Sequence, residues 1–160
     1  MKHLTEIEKA YIAGFLDGDG SINVQIVRRK DYILKFQIRF TITFFQKTTR
    51  YWFLVFLQKK LKTGTLKKRN DGVSELCLVG WQTVKLFLLA FKPYIRLKRR
   101  QAVLLLKIID KLPQSKDPQS FLNLCELVDQ IAFLNDSKKR IIDSAVVRSE
   151  LGLDNYFKSP

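Results

Sequence analysis

Histidine occurs once in the 160 residues, as His3 near the start of the chain. That scarcity excludes a Ser-His-Asp triad, a histidine-based nuclease centre and a histidine-rich zinc cage. Cysteine is nearly as rare. Cys77 and Cys125 lie far apart with no C-x-x-C pairing, so neither a disulfide framework nor structural zinc is expected, and a reducing compartment is. No run of 18 apolar residues occurs, so no membrane span is expected. The opening Met1-Lys2-His3-Leu4-Thr5-Glu6 lacks the apolar stretch of a signal peptide, and Glu6 and Glu8 argue against a transit peptide. Acid is the last shortage: 15 Asp and Glu against 29 Lys and Arg leave a net charge of +14.

The imbalance is local. From Gly20 to Arg69 stand 13 basic residues and one acid, Asp31, so these residues carry 12 of the 14 net charges. A partner rich in negative charge follows from such a cluster. The chain is no basic tail, because 46% apolar residues with 12 Phe are ample to bury a core.

Beneath the charge lies a period of two. Phe36, Ile38, Phe40, Ile42 and Phe44 share one face of a strand, and Lys35, Gln37, Arg39, Thr41 and Thr43 share the other. Upstream, Ile22, Val24 and Ile26 alternate with Asn23, Gln25, Val27 and Arg29, and Lys30-Asp31-Tyr32 supplies a turn, which predicts a hairpin. A shorter one is predicted from Thr65 to Arg69, across Asn70-Asp71-Gly72, to Val73–Val79. The polar faces hold Asn, Gln, Arg, Lys and Thr with almost no acid, the types that donate to phosphates and to base edges. A ten-residue strand spans roughly 33 Å, close to one turn of B-DNA at ~34 Å, so a two-stranded ribbon of that length suits the major groove.

A helix is predicted from Glu6 to Asp17, with Thr5 and Glu8 as its capping box. Ala10, Ala13, Gly14 and Asp17 recur at i, i+3, i+4, i+7, a stripe of small residues that would let another backbone approach closely. The helix runs into Asp17-Gly18-Asp19-Gly20. Acids there are electrostatically unfavourable, since a helix C-terminus is already negative and its last carbonyls lack partners. A hard divalent cation relieves both problems; a plain glycine stop with Asp in turn positions is the simpler alternative. A calcium loop fails, because Gly20 at the invariant glycine would put Phe15 and Ile26 at ligand positions.

Ile12-Ala13-Gly14-Phe15-Leu16-Asp17-Gly18-Asp19-Gly20 resembles the signature of the LAGLIDADG homing endonucleases, and specifically of their small single-motif members. The likeness continues through Gln46-Lys47-Thr48 with Arg50 and Trp52-Phe53-Leu54, and through Pro93-Tyr94-Ile95-Arg96-Leu97-Lys98 into Gln101-Ala102. It extends through Leu112-Pro113-Gln114 and Val128-Asp129-Gln130-Ile131-Ala132 to Leu134-Asn135-Asp136-Ser137-Lys138.

The resemblance implies an α+β fold of αββαββα order with extra C-terminal helices and a curved antiparallel sheet forming a DNA-binding saddle. It implies one domain over residues 1–160, with a core of about 5–135 and a helical extension of about 136–155. One motif per chain implies a homodimer whose motif helices meet at Ala10, Ala13, Gly14 and Asp17. Asp19 would ligate Mg2+ (or Mn2+, with Ca2+ as a non-cleaving substitute), helped by the Gly18 carbonyl, with Asp17 structural. Gln46, Arg50 and Lys98 would surround the scissile phosphate and steady its developing charge.

Base readout would fall to Asn23, Gln25, Val27, Arg29, Asp31, Tyr32, Gln37, Arg39 and Thr43, joined by Thr65, Lys67, Arg69, Glu75 and Cys77. Lys138 and Lys139 would contact the DNA backbone. Val27, Asp31, Cys77 and a turn near Asn70 that is one residue longer depart from relatives, so the target sequence is expected to differ. The implied activity is a staggered double-strand break with short 3′ overhangs in a long pseudo-palindromic site. The alternatives are an intron RNA maturase or a catalytically silent DNA-binding protein. An intron-encoded product made inside a chloroplast or mitochondrion would need no leader. Helices are predicted over Trp81–Phe91, Gln101–Leu112, about Pro118–Phe133 and Ser137–Leu151.

Overall fold

The structure is a computed structural model that describes residues 1–136 and 140–154. Four strands form one sheet in the order β1-β2-β4-β3, with β1 at Gly20–Arg28, β2 at Phe36–Lys47, β3 at Thr65–Lys68 and β4 at Val73–Val79. Helix α1, Glu6–Asp19, precedes β1; α2, Tyr51–Leu61, separates the hairpins; α3, Trp81–Phe91, follows β4. The αββαββα order is thus present, followed by α4 (Arg99–Lys111), α5 (Pro118–Leu134) and α6 (Ser144–Glu150).

The chain divides into two compact units. The first comprises Met1–Asn23 with Phe40–Val103. Its α1 starts as the sequence predicts: the Thr5 hydroxyl accepts from the Glu8 N–H at 3.2 Å, and Glu8 accepts from the Thr5 N–H at 2.9 Å. The Lys60 ammonium donates to the Glu8 carboxylate at 2.6 Å and, with the Thr5 N–H, holds its pKa down at about 2. The helix runs two residues past the expected Asp17, so Gly18 and Asp19 are helical. Phe40, Ile42 and Phe44 turn one face of β2 inward, and Phe44 meets Phe87 edge-on at 6.0 Å. Leu76 and Leu78 of β4, Leu54 and Leu57 of α2, and Ile12 and Leu16 of α1 are buried in the same unit. Such burial contributes on the order of 1.5–3 kcal/mol per large side chain.

The second unit comprises Val24–Arg39 with Leu104–Pro160. Here Val24, Ile26, Phe36 and Ile38 are buried, as are Leu105, Ile108, Leu122, Val128 and Ile131 from the helices. The expected three-residue turn is instead a loop from Arg29 to Lys35, closed by the Arg29 N–H on the Lys35 carbonyl at 2.9 Å, with Lys35 left-handed at φ 60°. The helix expected over Ser137–Leu151 is shorter. It begins at Ser144, where the Asp143 carboxylate accepts from the Val146 N–H and Asp129 accepts from the Ser144 N–H, both at 3.0 Å. No helix among the described residues is long and apolar enough to cross a membrane.

Candidate active site

The turn from α1 into β1 has no room for a side chain. A Cβ on Gly20 would sit 2.5 Å from Leu16 Cδ1 and 2.8 Å from the Leu16 carbonyl oxygen. With glycine there, the helix stops and the strand begins at consecutive residues, leaving Asp19 exposed at the very C-terminus of α1. No basic residue occupies that last turn.

Two residues earlier, Asp17 is only 9% exposed and fully engaged. Its carboxylate accepts from the Arg96 N–H at 2.7 Å and the Lys98 N–H at 3.0 Å. The Lys98 ammonium donates to the Asp17 main-chain carbonyl, satisfying one of the carbonyls that a helix end leaves without a partner. Burial lowers the Lys98 pKa, while the charges of Asp17 and Asp19 oppose that shift. Asp19 and Lys98 thus share one electrostatic site, and Asp17 is the clamp that fixes the segment bearing Lys98. Ile95, in the same segment, is fully buried.

Gln46 and Arg50 form a second group. Gln46 Oε1 accepts from Arg50 Nη1 at 3.3 Å and from the Lys47 N–H at 2.9 Å. Arg50 ends a 3-10 turn, Thr48–Arg50, that is pinned to β4. The Thr48 N–H donates to the Gly72 carbonyl at 2.8 Å, and the Thr48 hydroxyl bonds the buried Ser74 hydroxyl at 2.9 Å. Nothing in the sequence pointed to Ser74, and the resemblance cast Asp17 as structural without showing that its partners are the Arg96 and Lys98 N–H groups. Ser74 stands directly opposite Gln46 across β2 and β4, a signal that exists only once that register is known. Among the described residues no hydrogen bond joins the Gln46–Arg50 pair to Asp19.

The donors available for a metal are hard oxygens. With Asp17 engaged, they are the Asp19 carboxylate and the Gly18 carbonyl beside it, at the negative end of the helix dipole. Among the described residues no three His, Cys, Asp or Glu side chains gather. One carboxylate and one carbonyl suit Mg2+, which keeps its waters and completes its shell on substrate phosphate, and do not suit zinc.

The small-residue stripe is corrected in part. Ala13 is 0% exposed and Asp17 nearly so, both turned into their own chain. The outward face carries Ala10 and Gly14 as expected, together with Gly18, Ile7 at 83% and Tyr11 at 57% exposure. A Cβ placed on Gly14 or Gly18 meets nothing within 4 Å.

On the polar side of the sheet in the first unit, Thr43, Cys77 and Thr65 stand opposite one another across β2, β4 and β3, as do Phe45, Glu75 and Lys67. Asn23 is half-buried at the end of the unit's part of β1, and Arg69 leads the exposed β3–β4 turn. In the second unit Gln25, Val27 and Gln37 are half-buried, and Arg39 is exposed. Asp31 and Tyr32 lie in the connecting loop, and Arg29, expected at the end of the strand, lies in it as well. Lys138 and Lys139 lie outside the described residues.

Set against known proteins, residues 12–110 match the LAGLIDADG endonuclease family. The chain is 48% identical over 143 residues to the DNA endonuclease I-CvuI of Chlorella vulgaris, covering 89% of each. It is 44% identical over 142 residues to the DNA endonuclease I-CreI of Chlamydomonas reinhardtii, covering 88% of this chain and 86% of that one. The structure is similar to crystal structures of I-CvuI with DNA. One holds the I-CreI target, uncleaved, in the presence of Mg2+, and the other its own target in the presence of Ca2+. Each gives a TM-score of 0.87 at 47% identity, covering 92% of this chain and 94% of the other.

Proposed function

This chain belongs to the LAGLIDADG endonuclease family, and from that membership we propose that it is a homodimeric, Mg2+-dependent homing endonuclease. It cuts both strands of a long pseudo-palindromic DNA site and leaves short 3′ overhangs. The observation that carries this reading is the contrast at the end of α1: Asp17 is spent on the fold while Asp19, two residues on, is exposed beside Lys98. A carboxylate left exposed where the helix dipole disfavours it is what a bound divalent cation would stabilise.

Asp19 and the Gly18 carbonyl would hold the ion, which when bound polarises the phosphate and acidifies a water. The other residues act through their own charge and hydrogen bonds. Lys98, held against the Asp17 carbonyl, keeps an ammonium within reach of the negative charge that grows on the phosphate. Gln46 orients the Arg50 guanidinium, and that guanidinium donates to phosphate oxygens. One chain supplies one such set, so cutting two strands takes two chains, and the outward face of α1 is the surface on which a second copy packs. Open space at Gly14 and Gly18 lets the partner helix come close. We take residues 1–160 as one endonuclease domain and place its synthesis in an organelle.

The test is Asp19→Asn. In Mg2+, with a target recovered from a randomised duplex library, cleavage falls at least ~10³-fold, the scale of losing a principal electrostatic group. Affinity for the duplex stays within about threefold, because the basic sheet supplies it. Normal cutting by the variant would overturn the metal assignment. Preference of the wild-type chain for structured intron RNA over its duplex at equal salt would instead favour the maturase.

A further inference from the structure

The loop between β1 and β2 holds an arginine whose geometry is already set before any partner arrives. Arg29 donates from Nε to Asp31 Oδ1 at 3.0 Å and from Nη2 to Asp31 Oδ2 at 2.8 Å. Its Nη1 reaches Gln37 Oε1 at 3.4 Å, and the guanidinium lies over the Tyr32 ring, 5.3 Å from its centroid. The backbone enforces this. Three bonds fold the loop on itself: Tyr32 N–H to the Arg29 carbonyl at 3.1 Å, Lys35 N–H to the Tyr32 carbonyl at 2.9 Å, and Arg29 N–H to the Lys35 carbonyl. Asp31 is therefore carried back beside Arg29, and the hydrogen bond with Arg29 is the main cause that lowers its carboxyl to about 2, so it is ionised throughout the working pH range.

The pair is exposed at both ends, where a single ion pair adds little to stability. Its effect is on shape. Asp31 takes the Nε–Nη2 edge of the guanidinium, and the ring of Tyr32 takes one face. What remains is the Nη1–Nη2 end, two parallel donors aimed away from the carboxylate, of which Nη1 makes only a long 3.4 Å bond to Gln37 that a base acceptor can replace. That is the donor pattern matched by O6 and N7 of guanine in the major groove, the commonest specific contact of arginine with a base. The carboxylate also discriminates against alternatives. It offsets the charge that would draw Arg29 to any phosphate, and with Tyr32 it favours one rotamer of the fork, so a base offering a donor there is met only by giving up those contacts.

Arg69, at the tip of the other hairpin, lacks this arrangement. It meets Asp71 through Nη2 alone, at 2.6 Å, and Asp71 spends its other oxygen on the Val73 N–H at 3.1 Å.

Building on the endonuclease reading above, we propose that Arg29, braced by Asp31 and Tyr32, reads a guanine at one position in each half-site, and that Asp31 is the positioning residue that makes the reading selective.

The experiment measures relative affinity at fixed salt for a panel of duplexes. Each carries one base pair of the recovered target changed symmetrically in both half-sites. The wild-type chain favours guanine at one such position by about 10- to 100-fold, the range of a bidentate base contact. Asp31→Ala flattens that position to within about threefold, leaves the other positions sharp, and steepens the salt dependence because a cation has been released. Arg29→Ala flattens the same position, and the double variant goes no further. Asp31→Asn, which keeps one acceptor and the side-chain shape, gives an intermediate preference. Arg69→Ala, the comparison, leaves the guanine preference at the Arg29 position as sharp as in the wild type.

A profile in Asp31→Ala as sharp as the wild type overturns the proposal while leaving the endonuclease intact. So does an Arg29→Ala variant that loses affinity uniformly, which would make Arg29 a phosphate contact. A wild-type chain that neither cuts nor discriminates any duplex overturns the endonuclease reading and this one together.

Discussion

Asp17 and Asp19 are two residues apart on one helix, and their surroundings give them opposite work. Asp17 faces two backbone N–H groups and is sealed in, and Asp19 faces solvent beside an ammonium. The cysteines divide in a similar way. Cys125 is buried in α5, and that burial, with the charges of Asp129 and Glu126, pushes its thiol up to about 12. Cys77 is half-exposed on the polar side of β4, accepting from the Thr43 hydroxyl at 3.5 Å. Because the native chain keeps the Cys125 proton that the unfolded chain gives up near pH 9, its contribution to stability is whole below pH 9 and fades as pH rises toward 12. Iodoacetamide at pH 8, followed by peptide mass analysis, should therefore modify Cys77 and leave Cys125 unmodified. A bound target duplex should protect Cys77. Equal labelling of the two thiols, or indifference of Cys77 to the duplex, would contradict the burial or the interface respectively.

The elements most legible in the sequence are those whose signals are local. The alternation Phe36 to Phe44 needs only its own residues to declare a strand, and Thr5 with Glu8 declares a helix start. The start of α6 was not legible. Its N–H groups are capped by Asp143 next door but also by Asp129 on another helix, a tertiary partner that no window can see. The orientation of α1 failed for the same reason. Ala10, Ala13, Gly14 and Asp17 form one stripe on a helical wheel, and the wheel cannot show that Ala13 is buried in its own chain or that Asp17 is claimed by the Arg96 and Lys98 N–H groups. The candidate site residues could be named from a resemblance to a family, while the bonds that hold them in place could not be read from the sequence.

What the outward face of α1 is for can be tested at Gly14. Glycine inside a helix costs roughly 1 kcal/mol relative to a good helix former, and nothing within 4 Å in its own chain requires it. Gly14→Leu should therefore keep the helical circular dichroism of the chain while raising the dimer dissociation constant at least tenfold in sedimentation. A variant that dimerises as before would show that the stripe faces solvent and not a second copy.

At the scale of the whole molecule, the charge lies where the fold needs it. Twelve of fourteen net positive charges fall between Gly20 and Arg69, the residues that supply β1, β2 and β3. Affinity drawn from such a surface comes mainly from phosphates and falls steeply with salt, whereas selectivity comes from a few fixed donors. Cleavage comes from neither. On the assignment proposed above it rests on one exposed carboxylate per chain, so a single chain of 18.7 kDa would offer half of what a double-strand break requires. The most direct measurement is native mass spectrometry of the wild-type chain on one recovered target duplex in Ca2+, with the same sample then shown to cut both strands on transfer to Mg2+. Two chains per duplex is the expected mass. A complex of one chain and one duplex that severs both strands would contradict the account at its centre.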